Sequence, residues 1–202
     1  MIEWMTTTTI LERLQDYGNE DAWSRLSARF RRPIVGFARR MGLSPADADD
    51  VAQDTLLTFA ERFRSGAFDP ARGRLSHWLF GIAYRQALRA RRRAANKPVP
   101  PGDDGSADSF WANLPDNSPD SVAWDEEWER AVLEDCLQKI RQESEPVTVR
   151  AFELVVLDGK SSEAAAMELG VPIKTVYNAK HRMLKRIREL RAELENVSSP
   201  RR

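Results

Sequence analysis

The sequence predicts an all-α protein made of two small helical domains joined by an acidic linker. Apolar residues recur at spacings of three and four on both sides of a segment rich in Pro, Gly, Asp and Ser. We find no convincing run that alternates between apolar and polar residues as a half-buried strand would. The charge falls into three blocks. Residues 1–97 carry 17 basic and 11 acidic residues (net +6), residues 98–146 carry 3 and 13 (net −10), and residues 147–202 carry 11 and 7 (net +4).

The composition excludes several classes of protein. A chain of 202 residues suits one or two domains, and it holds no stretch of about 18 apolar residues that could span a membrane. Its N-terminus lacks the basic and apolar segments of a secretory signal. Because Cys136 is the only cysteine, we expect no disulfide, and a reducing cytoplasm fits. The sequence offers no Cys/His cluster, so we expect no metal site and no cofactor. With two histidines and no glycine-rich phosphate loop, the chain is predicted not to be an enzyme. Basic lobes favour a polyanionic partner.

A long helix is predicted over residues 20–41, after a short one over residues 9–16. Its apolar residues lie three or four positions apart, so they share one face. They are Trp23, Leu26, Phe30, Ile34, Phe37 and Met41. Pro33 lacks a backbone N–H and is predicted to bend or split this helix, while Gly42 suits its end.

The next helix is predicted to begin at Ser44. The Ser44 hydroxyl can cap it, Pro45 suits the first helical position, and Asp47 favours the positive end of the helix dipole. The apolar stripe of this helix contains Val51, Thr55, Leu56, Phe59 and Phe63. A further helix is predicted over residues 76–95. Its Trp78 and Phe80 suit either the core or a binding surface, and we favour the core for Trp78.

An acidic and partly helical linker is predicted to follow. Its first part is rich in Pro, Gly, Asp and Ser, which neither continue a helix nor build a strand ladder. Ser118 and Pro119 can open a helix over residues 120–142, and Pro146 marks the start of another. The apolar face of that helix contains Val149, Phe152, Val155 and Val156. The linker is also predicted to fold onto the basic lobes and suppress nonspecific binding of nucleic acid. The assignment in chain order is a first domain over 1–97, the linker over 98–145, a second domain over 146–196 and a disordered tail over 197–202.

The second domain contains a helix-turn-helix pattern over residues 162–182. Ala166 is small where two helices cross, Gly170 suits a turn with positive φ, and Val176 is apolar where the second helix packs on the first. Leu169, Val171 and Ile173 are predicted to fill the remaining core. The second helix, over residues 172–195, carries polar and basic residues suited to a DNA major groove. They are Lys174, Thr175, Tyr177, Asn178, Lys180, His181, Arg182 and Lys185, with Arg186 and Arg188 extending a basic rim. An ordinary helical hairpin with a solvated basic face is the alternative.

Two stretches of the first domain complete the pattern. Residues 47–63 read DADDVAQDTLLTFAERF and residues 68–93 read FDPARGRLSHWLFGIAYRQALRARRR. Together with the helix-turn-helix, they resemble the small extracytoplasmic-function type of the sigma-70 family. The resemblance covers about residues 9–195. It implies a region 2 helical bundle, a region 4 helix-turn-helix, and a protein that directs bacterial core RNA polymerase to promoter DNA.

The resemblance also implies binding residues. A row of polar residues would bind core polymerase, and it comprises Asp47, Asp49, Asp50, Gln53 and Asp54. Residues that would bind the −10 promoter element are Arg72, Arg74, His77, Tyr84, Arg85, Arg89 and Arg92, while the exposed set of the helix-turn-helix would read the −35 element. A solvated helix start remains the alternative for the acidic row. The family's recognition helix often has a basic residue where this chain has Ala179, so the −35 sequence that is read would differ.

The resemblance predicts partners as well. We expect a monomer when the protein is free, and control by an anti-sigma factor or a regulatory kinase, without membrane association. The alternative function is a dimeric helix-turn-helix regulator that does not bind core polymerase. That alternative predicts a stable homodimer and a palindromic operator.

Overall fold

The protein is all-helical over the residues that its computed structural model describes, which are 7–16, 18–69, 74–95 and 118–195. This confirms the predicted fold class. The helices are α1 (Thr7–Arg13), α2 (Glu20–Arg40), α3 (Pro45–Arg64), α4 (Leu75–Ala94), α5 (Pro119–Glu143), α6 (Pro146–Phe152), α7 (Ser162–Leu169) and α8 (Ile173–Glu195), with a π-helical segment at Glu153–Leu157. They form two compact units, of residues 7–131 and 132–195. No described helix is long and apolar enough to cross a membrane.

Helix α2 is continuous across its proline. The Asn19 side chain caps it by accepting a hydrogen bond of 3.0 Å from the Ala22 backbone N–H. Pro33 lies buried within the helix and does not split it. The helix runs on through this position because its apolar face, with Phe30 and Ile34 on either side of the proline, is buried in the first unit.

The start of α3 follows the predicted local chemistry. The Ser44 hydroxyl accepts a hydrogen bond of 3.1 Å from the Asp47 backbone N–H, and Pro45 occupies the first helical position. Gly42, just before this start, has a φ of +86°, a conformation that favours glycine. Both predicted boundaries are therefore confirmed.

The first unit has a core rich in aromatic rings. The Trp78 ring is edge-on to Phe59, with centroids 5.1 Å apart, and Phe80 is edge-on to Phe37 at 5.5 Å. Only 7% of Trp78 and 3% of Phe80 is exposed. The prediction of a core position for Trp78 is confirmed, and Phe80 belongs to the core as well.

Helix α5 contributes to both units. It begins where predicted, with the Ser118 hydroxyl accepting a hydrogen bond of 3.1 Å from the Ser121 N–H. Residues 119–131 belong to the first unit and residues 132–143 to the second. Within the first unit Trp124 is fully buried, and within the second Cys136 and Ile140 are fully buried. The tryptophan and cysteine of this segment are thus core residues.

The second unit has two adjoining apolar clusters. In one, α5 and α6 pack against the second half of α8, and its buried residues are Cys136, Ile140, Phe152, Met183, Leu190 and Leu194. In the other, α7 packs against the first half of α8, and its buried residues are Ala151, Leu154, Ala165, Ala166, Val176 and Ala179.

Two predicted core positions in this unit are wrong. The Asp158 N–H donates a hydrogen bond to the carbonyl of Glu153, five residues earlier, so Glu153–Leu157 is a π-helix with an extra residue in its turn. That change of register turns Leu154 into the core and leaves Val156 38% exposed. Ile173 is also exposed, because it lies one turn before Val176 and Ala179, where α8 crosses α7.

Candidate functional site

The acidic row on α3 divides into residues with different local roles. Asp47 is half-buried, and its carboxylate accepts a hydrogen bond of 2.5 Å from the Ser44 hydroxyl that caps the helix. Asp49 forms an ion pair of 2.8 Å with Arg31 on α2. Both of these carboxylates therefore have structural partners within the first unit.

The remaining members of the row present a more open surface. Asp50 and Gln53 are exposed, and Asp54 is half-buried. Leu57 follows at a spacing of seven from Asp50, which places it on the same helix face, and 56% of its area is exposed. Our sequence interpretation missed Leu57 because its neighbour Leu56 carries the apolar stripe. Acidic and apolar side chains side by side suit a protein partner better than they suit solvent.

These carboxylates do not form a metal centre. Across the described ranges, no group of three or more His, Cys, Asp and Glu side chains is arranged to hold a metal ion.

Helix α4 carries most of the residues predicted for the −10 element. Arg74 and His77 are exposed at its start. Arg85, Arg89 and Arg92 are half-buried, and their spacing of four and three places them along one helix face. Arg72 lies outside the described residues.

Tyr84 lies between the core and the surface of α4. Its ring centroid is 5.8 Å from Phe80 and 6.5 Å from Phe37. Burial raises the pKa of the phenol, and a hydrogen bond with the Asp120 carboxylate raises that pKa further, against the opposing effect of nearby arginines. The phenol is therefore protonated at neutral pH and donates to Asp120, a residue of α5.

The helix-turn-helix has the predicted local geometry. The Ser161 hydroxyl caps α7 by accepting a hydrogen bond of 3.1 Å from the Ala164 N–H. Gly170 ends this helix with φ +64° and ψ +32°, the left-handed conformation that a side chain disfavours. Ala166 and Val176 are buried together in one cluster, so α7 supports the first half of α8.

Helix α8 exposes nearly all of the side chains predicted to read duplex DNA. Thr175 is half-buried. The exposed residues are Lys174, Tyr177, Asn178, Lys180, His181, Arg182 and Lys185. The Arg182 guanidinium also donates a hydrogen bond of 3.2 Å to the Thr148 hydroxyl, which orients that side chain from α6.

Arg186 differs from the basic rim that the sequence predicts. Its guanidinium lies 3.1 Å from Glu143, 3.4 Å from Glu189 and 3.5 Å from Glu193. The hydrogen bond with Glu143 raises the pKa of Arg186 and holds the pKa of Glu143 below its usual value. Its charge is thus largely balanced within the second unit, and the exposed residues earlier in α8 carry most of the cationic surface.

Comparisons with known proteins agree with this arrangement. Residues 26–97 match the family described as Sigma-70 region 2. The chain is 25% identical over 181 residues to the ECF RNA polymerase sigma factor RpoE of Cereibacter sphaeroides, covering 89% of this chain and 92% of that protein. It is 29% identical over 185 residues to the RNA polymerase sigma factor CarQ of Myxococcus xanthus, covering 92% and 97% respectively. Both likenesses extend through the two helical units. Together with the region 2 match, they support a sigma factor of the extracytoplasmic-function type in the sigma-70 family.

Proposed function

We propose that this protein is a sigma factor that binds core RNA polymerase through α3, captures the melted −10 element on α4 and reads the duplex −35 element with α8. The observation that carries this proposal is the presence in one chain of two helical units that each have a row of basic residues, the first of which also exposes an acidic helix face. Its likeness to RNA polymerase sigma factors over both units supports the same function.

The surface of α8 suits duplex DNA. Lys174, Tyr177 and Asn178 lie in its first two turns, the part of a recognition helix that reaches base edges in the major groove. The amide of an asparagine can pair with adenine, and a lysine with guanine. Lys180, Arg182 and Lys185 follow along the helix and suit phosphates of the flanking backbone.

The surface of α4 suits unpaired DNA. Capture of single-stranded bases needs cations for the phosphates and rings on which bases can stack. Arg85, Arg89 and Arg92 supply the cations. Since Trp78 and Phe80 are used in the core, His77 and Tyr84 are the rings available for stacking on this helix.

The exposed face of α3 suits docking on the polymerase. Asp50 and Asp54 can pair with basic groups of a partner, which increases the rate of encounter as well as the affinity. Leu57 adds apolar area that such a partner would bury, at about 25 cal/mol per Å². Asp47 and Asp49 would contribute less, since each already has a partner within the chain.

Joining the two DNA-binding units in one chain makes the second binding event intramolecular. The effective concentration of the second site then raises the combined affinity without any new contact. Binding as a monomer fits this arrangement, because each unit would contact a different promoter element. Control by an anti-sigma factor or a kinase stays a prediction.

The decisive experiment is transcription by core polymerase with this protein on a genomic DNA library, with sequencing of the start sites. Asp50→Lys combined with Asp54→Lys should abolish both co-elution with core polymerase and transcription, while the helical content stays unchanged. Glu12→Lys with Glu20→Lys is the charge-matched control, since both glutamates are exposed on other helices. If the acidic variant binds core polymerase as well as the control does, α3 is not the docking face. A stable dimer that does not bind core polymerase would favour the alternative function, a dimeric helix-turn-helix regulator.

A further inference from the structure

The first half of α5 covers part of the first unit. Trp124 is fully buried, with its ring centroid 5.6 Å from both Phe37 of α2 and Phe80 of α4. One turn later, Trp128 stacks on Phe30 with centroids 5.2 Å apart and ring planes 16° apart. Two indoles at a spacing of four thus anchor an acidic helix against α2 and α4.

Charged groups flank these anchors. Arg40 at the end of α2 is hydrogen-bonded to Glu126 and lies 3.6 Å from Glu127. The Glu127 side chain is nearly buried, and a Cβ added at Gly36 would lie 2.8 Å from its carboxylate carbon. The absence of a side chain at Gly36 therefore allows the acidic helix to approach α2 this closely.

The covered surface overlaps the proposed −10 surface. The Asp120 carboxylate interacts with the Tyr84 phenol, so it occupies a polar group of the proposed −10 surface. Trp124 also lies against Phe80, which is one turn before Tyr84 on α4. An anionic helix that touches a surface suited to DNA competes with DNA for charge as well as for space.

Polar groups add little to this contact. The Trp124 indole N–H is buried without a hydrogen-bond acceptor among the described residues, which is unfavourable for the docked state. The ion pair between Arg40 and Glu126 is partly exposed to solvent, with 40% and 54% of the two side chains accessible, so it adds little. The two indoles therefore carry most of the docking energy, and a competing ligand must offset the loss of their packing to displace the helix.

We propose that residues 119–131 are a removable anionic cover over the Phe80–Tyr84 side of α4, docked in the free protein and displaced when promoter DNA binds. This proposal rests on the proposed function, since it takes Tyr84 to be part of the −10 surface. It predicts that a permanently docked cover blocks promoter opening but leaves polymerase binding through α3 intact.

A disulfide between Gly36→Cys and Glu127→Cys tests this in the full chain. A Cβ at residue 36 would lie 3.2 Å from Cγ of Glu127, the atom whose place the sulfur of a cysteine at 127 would take, so the two cysteine side chains would be close enough to bridge. The oxidised protein should still co-elute with core polymerase but transcribe at least tenfold less than the same protein after reduction. The unmodified chain, treated with the same oxidant, controls for Cys136.

The possible negative results have different meanings. Equal transcription by the oxidised and reduced forms would overturn the proposal that residues 119–131 are a removable cover. Failure of the reduced form and of the unmodified chain to support any transcription would instead overturn the proposed function.

A double variant tests the proposed cover without a cross-link. Asp120→Asn with Glu126→Gln should increase polymerase-free binding of a fluorescent single-stranded DNA severalfold at low salt. Glu145→Gln with Glu163→Gln removes the same charge from two exposed positions outside residues 119–131. If the two double variants bind the DNA equally well, general charge explains the change and the cover is excluded.

Discussion

The Arg186 guanidinium of α8 lies 3.1 Å from the carboxylate of Glu143 at the end of α5, and this pair connects the two longest helices of the second unit. Lys139 approaches the same carboxylate at 3.1 Å. The residue that the sequence assigns to a DNA-binding rim thus stabilises the unit that carries the recognition helix.

This pair predicts a pH-dependent contribution to stability. The hydrogen bond with Arg186 holds the pKa of Glu143 below its usual 4.5. A carboxyl whose pKa is lower in the folded state stabilises the fold above its unfolded pKa, and this contribution is lost as the pH falls through the folded pKa. Glu143→Gln should therefore lower the free energy of unfolding by about 0.5–1 kcal/mol at pH 7, because the pair is partly exposed. Urea unfolding followed from pH 7 downward should show a difference that is constant at neutral pH and shrinks as the pH falls below 4.5. A difference that does not change with pH would refute the electrostatic cause.

Gly170 predicts a local backbone effect. Its φ of +64° is accessible to glycine without strain, whereas an alanine there would be strained by about 1 kcal/mol. Gly170→Ala should lower the midpoint of thermal unfolding by several degrees and weaken binding to duplex DNA. Gly18→Ala is the control, since its Cβ would meet only an ordinary contact of 3.5 Å. Equal stability of the two variants would contradict a strained turn.

The neighbours His77 and Trp78 predict opposite phenotypes. Trp78 is packed against Phe59 and Phe68 in the core, so Trp78→Ala should cost about 3–5 kcal/mol of stability. His77 is exposed, so His77→Ala should change stability by less than about 0.5 kcal/mol while weakening binding to single-stranded −10 DNA. Chemical denaturation and fluorescence anisotropy separate the two effects. A large loss of stability in His77→Ala would argue against a surface role.

The exposed lysines of α8 predict how strongly duplex binding depends on salt concentration. Lys174→Ala with Lys180→Ala removes two exposed charges, so the slope of log K against log salt should become less negative by about 1.8 if both contact phosphates. Lys160→Ala serves as the control because Glu168 already binds its ammonium group at 2.5 Å. Duplex binding of the double variant and of the control is measured at several salt concentrations. An unchanged slope in the double variant would show that these lysines do not contact phosphates.

Local chemistry explains why much of the fold was predictable. The caps at Ser44 and Ser118 and the left-handed turn at Gly170 depend on groups within four residues of each other, so their signals stand in the sequence. The spacing of apolar residues likewise predicted which face of α2 is buried, and the exposed face of α8 followed from the helix-turn-helix pattern.

The sequence by itself determined where the helices lie, how several of them begin and end, and most of the residues that face outward, because hydrogen bonds and spacing within one or two turns decide them. The apolar spacing did not reveal the π-helical turn that leaves Val156 exposed. Only the tertiary structure decided that Glu143 pairs with Arg186 and that Trp124 and Asp120 contact Phe80 and Tyr84. These partners lie far apart along the chain, and such contacts form only when packing brings distant side chains together.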